Sequence, residues 1–178
     1  MINKKYPAGF SLTEIMIVVG IIGAFMVLSI PGFVKMYKYS NVTGVADQLA
    51  ADLRYAQQLT ITQVRPHYVQ LYYAINTSVS SPEVPNSYKI YYLNGTNEVV
   101  VKRVKLEDKG YITESDFSSP SGLIKFETNG SATPLNDGRI KIWQNLAGTN
   151  GTGHYFAVTL KYSTGKVKIY RDQWPTSW

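Results

Sequence analysis

Residues 9–30 read GFSLTEIMIVVGIIGAFMVLSI, and this stretch decides the fold. The part from Ile15 to Ile30 is almost unbroken apolar sequence, long enough with its flanks to cross a bilayer as a helix of about 20 residues. Lys4 and Lys5 precede it, which favours a cytoplasmic N-terminus. A secretory signal peptide would have a shorter apolar segment followed by an A-x-A-like cleavage site. No such site follows here, so we expect one membrane-spanning helix near the start of the chain.

Glu14 stands at the start of the apolar run and needs a physical explanation. An ionised carboxylate beside hydrocarbon is costly unless it lies near the interface or is paired with a cation. We therefore expect something cationic to meet Glu14. The alternative is an ordinary single-pass anchor in which the glutamate is there by chance.

The leader resembles a known processing signal. The basic leader, residues 9–14 (GFSLTE) and the apolar run are together similar to the class III leader of type IV pilins and type II secretion pseudopilins. The resemblance implies that a prepilin peptidase removes residues 1–9 by cutting after Gly9, and that it methylates the new N-terminal residue, Phe10. It also implies that the carboxylate of Glu14 pairs with the N-terminal amine of a neighbouring subunit.

The same resemblance implies partners and a location. The partners are the prepilin peptidase, other pilins or pseudopilins, and the inner-membrane assembly platform. The chain is expected to span the bacterial inner membrane once, with its C-terminal domain in the periplasm, and to enter a cell-surface filament on assembly. Pro31 followed by Gly32 also resembles the kink or melted segment of many pilin helices.

Residues 34–64 are predicted to be the amphipathic half of the same helix, after the membrane-inserted or filament-core half at residues 10–33. From residue 40 onward, apolar residues recur at three- and four-residue intervals, which is a helical pattern. These residues are Val42, Val45, Ala46, Leu49, Leu53 and Ala56. The stripe that they form can be buried against a sheet.

Residues 65–178 show the alternation typical of strands, with turn residues at short intervals. The predicted strands are Tyr68–Ala74, Tyr88–Leu93, Glu98–Leu106, Leu123–Glu127, Arg139–Trp143, Tyr155–Tyr162 and Lys166–Arg171. Two dipeptides that tolerate positive φ, Asn94-Gly95 and Thr164-Gly165, are hairpin signals. The expected fold class is α+β and pilin-like, with the long N-terminal helix packed on a C-terminal antiparallel β-domain.

Three short segments in this half resemble a narrower family. Residues 52–57 (DLRYAQ), 123–126 (LIKF) with the dipeptide at 129–130, and 165–169 (GKVKI) are together similar to the GspH/FimT family of minor pilins and pseudopilins. The resemblance implies a structural or priming subunit of a type IV pilus or of a type II secretion pseudopilus. A major pilin is a further alternative, although major pilins usually close their C-terminal region with a disulfide and this chain has no cysteine.

The last predicted hairpin has a basic and aromatic face. Alternation directs five residues away from its apolar side: Tyr155, Lys161, Lys166, Lys168 and Tyr170. Arg171, Trp174 and Trp178 would extend this surface. Because lysines neutralise phosphates, tyrosines stack on bases and some FimT-like members are DNA receptors, a DNA-binding minor pilin of a DNA-uptake pilus is an alternative. Lysine on an exposed strand also blunts edge-to-edge aggregation without any ligand.

The sequence predicts no enzyme, no cofactor and no metal site. No nucleophile–base pair, phosphate loop or metal-ligand motif stands out, and the histidines are His67 and His154. The carboxylates between residues 107 and 116 are interpreted as solvated groups. The absence of cysteine excludes disulfides and thiolate chemistry, and the net charge of +6 is modest enough to serve solubility alone.

Overall fold

The computed structural model describes residues 9–74, 85–107, 109–117, 122–133, 137–144 and 154–173. The chain forms two compact units, whose boundary lies between Tyr37 and Lys38. The described part of the first unit is helical from Leu12 onward. The second contains the continuation of the same helix together with two antiparallel sheets.

One helix, α1, spans Leu12–Gln63. It begins where the hydroxyl of Ser11 accepts a hydrogen bond from the backbone amide of Glu14 at 3.2 Å, which is the arrangement of an N-cap. It ends before Val64, whose φ of 52° is left-handed. The helix runs without interruption through residues 31 and 32, and the predicted kink at that place stays a prediction.

The first half of α1 exposes apolar side chains on every side. All the side chains from residue 11 to residue 27 are exposed. The segment is long and apolar enough to cross a membrane. A helix that is apolar all round requires lipid or other helices around it, because water does not stabilise such a surface.

Two antiparallel sheets complete the second unit. Sheet I consists of β1 (His67–Tyr72), β2 (Ser87–Asn94), β3 (Asn97–Lys105), β5 (Leu123–Phe126) and β6 (Ala132–Thr133). Sheet II consists of β4 (Tyr111–Ser115), β7 (Gly138–Trp143), β8 (Tyr155–Lys161) and β9 (Lys166–Arg171). The strand order is β3-β2-β1-β5-β6 in sheet I and β4-β7-β8-β9 in sheet II.

The core of the second unit is built on the stripe of α1 that the spacing predicts. All six residues of this stripe are at most 3% exposed, and Ala50, which the spacing did not include, is also fully buried. They belong to one apolar cluster with Leu71 and Ile124 of sheet I and with Ile142 and Leu160 of sheet II. Full burial of a leucine contributes about 2 kcal/mol, so this stripe stabilises the packing of α1 on both sheets.

A buried polar contact fixes the position of α1 on sheet I. The carboxylate of Asp52, a residue that is 6% exposed, accepts hydrogen bonds from the hydroxyl of Tyr88 and from the ammonium of Lys102, both at 2.7 Å. Burial, together with the bond to Asp52, raises the pKa of the Tyr88 hydroxyl, which therefore stays a donor. A buried carboxylate that lost these partners would be strongly destabilising.

A second polar contact joins α1 to one turn of each sheet. The side-chain amide of Gln57 donates to the carbonyl oxygens of Gly130, at 2.7 Å, and of Thr164, at 2.9 Å. Gly165 has a φ of 63°, and a Cβ atom at this position would collide with the Gln57 side chain. This turn therefore needs glycine for its backbone and for space. Two turns and the 52–57 segment, all part of the GspH/FimT resemblance, thus meet at one point.

The structure confirms the predicted α+β class and adds two strands to the predicted set. The other seven strands agree with the prediction apart from their ends. Strand β4 was missed because a bulge between Ile112 and Glu114 interrupts its alternation. Strand β6 was missed because it contains only Ala132 and Thr133, too few residues to show a period.

Candidate functional site

The first candidate site is the segment around the peptide bond between Gly9 and Phe10. Residues 9–11 precede α1 and are not helical, and Phe10 is 80% exposed. The cap formed by Ser11 holds the helix start at Leu12, so this bond stays outside the helix. The geometry is compatible with cleavage, because a peptidase needs an accessible bond in a non-helical segment.

Glu14 lies in the first turn of α1, where the positive end of the helix dipole favours an acidic residue. Ser11 and Glu14 also have the S-x-x-E spacing of a capping box, and the Ser11 half of that box is formed. This signal is present in the sequence, and it predicts a helix start at Leu12 rather than at residue 10. The pairing of Glu14 with a neighbouring subunit stays a prediction.

The second candidate site is the basic face of sheet II, by which we mean the side that carries the lysines of β8 and β9. The strand register sets Lys161 opposite Lys166 and Thr159 opposite Lys168, so the three lysines share one face, as the alternation predicts. Lys166 is exposed, and the other two lysines are half-buried. Tyr170 lies on the same face, further along β9.

Strand β7 adds three residues to the basic face that the sequence analysis did not place there. Arg139, Lys141 and Trp143 lie opposite Thr159, Ala157 and Tyr155. The signal for them is the alternation within β7, where Ile140 and Ile142 are fully buried between them. Arg139 is ion-paired with Asp116. The basic face therefore covers three neighbouring strands rather than one hairpin.

The two ends of the basic face differ in chemistry. Lys161 and Lys166 flank the turn between β8 and β9. At the other end the rings of Trp143 and Tyr155 have centroids 5.1 Å apart, and the ammonium of Lys141 lies 5.0 Å and 5.1 Å from those two centroids. This end combines aromatic packing with a cation–π contact, whereas the turn end presents charge.

Arg171 does not lie on the basic face. The register sets it opposite Phe156, a core residue, and its guanidinium carbon lies 4.4 Å from the ring centroid of Tyr39 in α1. The structure thus brings the three lysines together with Tyr155 and Tyr170 and directs Arg171 to the helix side of the sheet. Trp174 and Trp178 lie outside the described residues.

The two histidines lie in different environments. His67 is buried, its Nδ1 donates to the carbonyl oxygen of Arg65 at 3.1 Å, and burial lowers its pKa. His154 donates to the carboxylate of Asp172 at 2.8 Å. Although burial alone would raise the pKa of Asp172, the hydrogen bonds from His154 and from the backbone amide of Tyr155 lower it below its usual value. In the part of the chain that the structure describes, no group of three or more His, Asp or Glu residues could hold a metal ion.

Comparison with solved structures finds chains with the same fold. The type IV minor pilin FimU of Pseudomonas aeruginosa matches in two crystal forms, with TM-scores of 0.52 and 0.54 and sequence identities of 15% and 13%. These matches cover 72% and 76% of this chain and 91% and 92% of FimU. The minor pseudopilin EpsH from the type 2 secretion system of Vibrio cholerae matches with a TM-score of 0.54 and 10% identity, over 73% of this chain and 96% of EpsH.

No protein-family model and no curated protein sequence matches the chain. The structural likeness is therefore one of fold: a long N-terminal helix packed on antiparallel sheets, present in a minor pilin and in a minor pseudopilin. This fold agrees with the apolar N-terminal helix of the chain. The chain has the type IV pilin fold, in the form shared by FimU and EpsH.

Proposed function

We propose that the chain is a minor pilin or a minor pseudopilin, a structural or priming subunit of a type IV pilus or of a type II secretion pseudopilus. The observation that carries this proposal is that one chain combines the pilin fold with an exposed apolar helix. Such a helix is stable in a bilayer before assembly and among the helices of other subunits after it. A major pilin would share these features, whereas FimU and EpsH, which have this fold, are both minor subunits.

Processing and pairing form the next step of the proposal. The bond between Gly9 and Phe10 lies outside α1, and cleavage there by a prepilin peptidase creates a new amine on Phe10, which the enzyme methylates. Glu14 lies in the first turn of the helix and is exposed, so its carboxylate is accessible to the amine of a neighbouring subunit. Pairing removes the cost of an isolated carboxylate inside an apolar bundle. We propose no catalytic activity for the chain.

The proposed location follows from the same features. Lys4 and Lys5 favour a cytoplasmic N-terminus, so the second unit is expected in the periplasm before assembly and on a filament afterwards. The assembly platform of the inner membrane and the other pilins or pseudopilins are the expected partners. The segments are a leader at 1–9, a membrane and filament-core half of the helix at 10–33, an amphipathic half at 34–64 and a β-rich domain at 65–178.

Mass spectrometry of the chain extracted from membranes tests the proposal. In cells that contain the peptidase, the expected N-terminus is methylated Phe10. Replacing the residue before the cut, Gly9→Val, should leave the full-length chain in the membrane, and Gly20→Val serves as a control because it is an equal change within the helix. An N-terminus at Met1 in the unaltered chain, or processing that is equal in both variants, would count against the pilin function.

A second candidate function, DNA binding during uptake, is supported by one observation. Lys161, Lys166 and Lys168 lie together on one face, where they can neutralise phosphates. The three lysines also lie on β8 and on the edge strand β9, where lysine protects a sheet from aggregation without any partner. The minor subunit is therefore the first proposal, and DNA binding is the alternative.

The salt dependence of binding to duplex DNA distinguishes these two interpretations of the lysines. Each lysine–phosphate contact contributes about 0.9 to the slope of log K against log salt, so Gln at the three positions should reduce that slope by about 2–3. The matched control changes three exposed basic residues elsewhere: Arg103, Lys105 and Lys109. Absence of binding at low salt, or equal slopes for both triple variants, would remove the DNA function for this face.

A further inference from the structure

Tyr39 marks the end of the second unit at which the chain arrives from the apolar helix. It lies in α1 two residues after Tyr37, the last residue of the first unit. Its ring contacts the ring of His154 edge-on, with centroids 5.5 Å apart, and it packs at 5.9 Å from the ring of Phe156. The guanidinium of Arg171 covers the same ring. The start of β8 and the end of β9 are therefore held beside Tyr39.

The helical rise bounds the depth at which Tyr39 can lie when α1 spans a bilayer. Tyr39 follows Glu14 by 25 residues, which is at most about 37 Å along the helix. A bilayer has a hydrocarbon core of about 30 Å and a total thickness of about 40–45 Å. If α1 is continuous, as in the structure, and the carboxylate of Glu14 stays at one edge of the hydrocarbon, Tyr39 therefore lies no further out than the opposite headgroup layer, and tilt or bending of the helix brings it deeper.

The side chains around Tyr39 have the composition of a membrane interface. Lys38 is exposed, and the Arg171 side chain is 59% exposed. The aromatic end of the basic face, with Lys141 over Trp143 and Tyr155, lies at the same ends of β7 and β8. Tryptophan and tyrosine are enriched at headgroup depth, and lysine and arginine reach phosphates from there. We call these six residues, Lys38, Tyr39, Lys141, Trp143, Tyr155 and Arg171, the interfacial end.

Asp172 offsets part of the positive charge at this end. It accepts the hydrogen bond from His154 and lies 3.6 Å from the guanidinium of Arg171. Long-range attraction to an anionic surface is therefore weak. Individual contacts of Lys38 and Arg171 with lipid phosphates, together with the tyrosine rings, remain as the means of recognition. Trp143 is only 9% exposed, so its role is to pack against the ring of Tyr155.

We propose that, while the chain is anchored in the membrane, the interfacial end docks onto the phospholipid headgroup layer and holds the β-domain against the bilayer. The partner is a phospholipid surface, recognised through its phosphates and through the interfacial preference of aromatic rings. The inference rests on the proposed function only in requiring that α1 spans the membrane. Before assembly, the β-domain would thus have a fixed orientation on the bilayer. Extraction of the subunit into a filament would then break the contacts with the headgroups and also remove the helix from lipid.

The test uses the full chain in phospholipid nanodiscs. Because the chain has no cysteine, a single introduced cysteine can be labelled without background. An environment-sensitive fluorophore at Gln173→Cys reports on the interfacial end, and the same label at Ser163→Cys reports on the exposed turn at the far end of β8 and β9. Headgroup-attached quenchers should quench the label at position 173 and spare the label at position 163.

A pair of charge reversals separates docking from mere tethering. Lys38→Glu should remove most of the quenching at position 173, whereas Lys166→Glu, an equal change on an exposed lysine at the far end, should leave it unchanged. Arg171→Glu provides a second variant, and near-UV circular dichroism verifies that the fold around Tyr39 is retained. Resistance to alkaline extraction reports separately whether α1 has inserted.

Each outcome has a defined meaning. Quenching that depends on Lys38 in an inserted chain supports docking. Equal quenching of the labels at positions 173 and 163 would overturn the docking proposal and leave membrane insertion unaffected. Quenching at position 173 that Lys38→Glu leaves unchanged would do the same. A label at position 173 that responds to added duplex DNA and not to lipid would assign this end to nucleic acid and overturn the proposal. A chain released by alkali would contradict the membrane-anchored function itself, and docking with it.

Discussion

The side-chain amide of Gln57 lies 2.7 Å from the carbonyl oxygen of Gly130, which follows it by 73 residues in the chain. The same amide donates to Thr164, so one side chain joins α1 to a turn of each sheet. We expect Gln57→Ala to lower the free energy of unfolding by about 1–3 kcal/mol, since it removes two hydrogen bonds and leaves two carbonyl groups short of a donor. Gln58→Ala, a change at the exposed next residue, should have little effect.

Urea unfolding of a fragment that begins at Lys38 is the measurement for this comparison. The fragment is expected to fold by itself and to be soluble, because the apolar cluster lies entirely after residue 38. Equal midpoints for the two glutamine variants would show that the Gln57 contacts do not stabilise the fold.

Val64 has a φ of 52°, a conformation that costs a β-branched residue about 1–2 kcal/mol. Its side chain is 76% exposed, so replacing it sacrifices little packing. Val64→Gly should therefore raise the free energy of unfolding by roughly 1 kcal/mol, less the entropy that glycine adds to the unfolded chain. Gln58→Gly, which puts glycine inside the helix, should lower it by about 0.5–1 kcal/mol. Thermal unfolding of the two variants gives the sign of each change in stability. A loss of stability in both variants would contradict this account of Val64.

His67 should make the stability of the domain depend on pH near neutrality. Burial lowers its pKa in the folded state, and the described residues offer its Nε2 no hydrogen-bond partner. The unfolded chain, with an ordinary pKa near 6.5, therefore binds a proton first as the pH falls. The stabilising contribution is complete above pH 6.5 and is lost as the pH falls through the lower folded pKa.

Unfolding free energies measured between pH 8 and pH 5 check the role of His67. His67→Gln should flatten the decline over this range, whatever its effect on stability at pH 8. The exposed His154 provides the comparison, because His154→Gln should leave the decline in place. A decline that persists unchanged in His67→Gln would assign the pH dependence to other groups.

Glu14 should matter for assembly and not for insertion. Glu14→Leu removes a carboxylate from the edge of the hydrocarbon, so insertion should be intact or slightly improved, while incorporation beside other subunits is impaired because the new amine on Phe10 loses its partner. Glu14→Gln keeps the length and shape of the side chain and should show the same loss of incorporation. Counting the labelled subunit in purified filaments measures this step, and alkaline extraction measures insertion. Normal incorporation of both variants would remove the pairing role.

The fold could be predicted from the sequence wherever a period was long enough to be seen. The stripe from Val42 to Ala56 predicted the buried side of α1, and the alternation in β9 predicted its bounds without error. Strand β6 and the bulged β4 could not be predicted, because short or interrupted strands owe their pairing to neighbours that are distant in the sequence.

The features of the candidate sites also divide into those that local sequence predicts and those that depend on distant residues. Local signals predicted the shared face of the three lysines, which the strand register confirms. The leader stays a prediction. The position of Arg171 over Tyr39 could not be read locally, because it depends on a contact between residues 132 positions apart (171 minus 39). The alternation within β7 predicts which of its residues share a face. Only the strand order shows that β7 lies beside β8 and so contributes to the basic face.

The contacts of Gln57 and Arg54 also make the native packing of α1 depend on the C-terminal hairpin. Arg54 donates a hydrogen bond to the carbonyl oxygen of Val167 in β9. The contacts of α1 with sheet II therefore form fully only when β9 is present. Loops of this length must close before their contacts become favourable, which slows folding. In the proposed membrane-anchored subunit, the β-domain would therefore stay open until β9 had crossed the membrane, and it would be exposed to proteolysis throughout that interval. A subunit truncated before β9 would remain in this open state and would be a substrate for proteases before assembly.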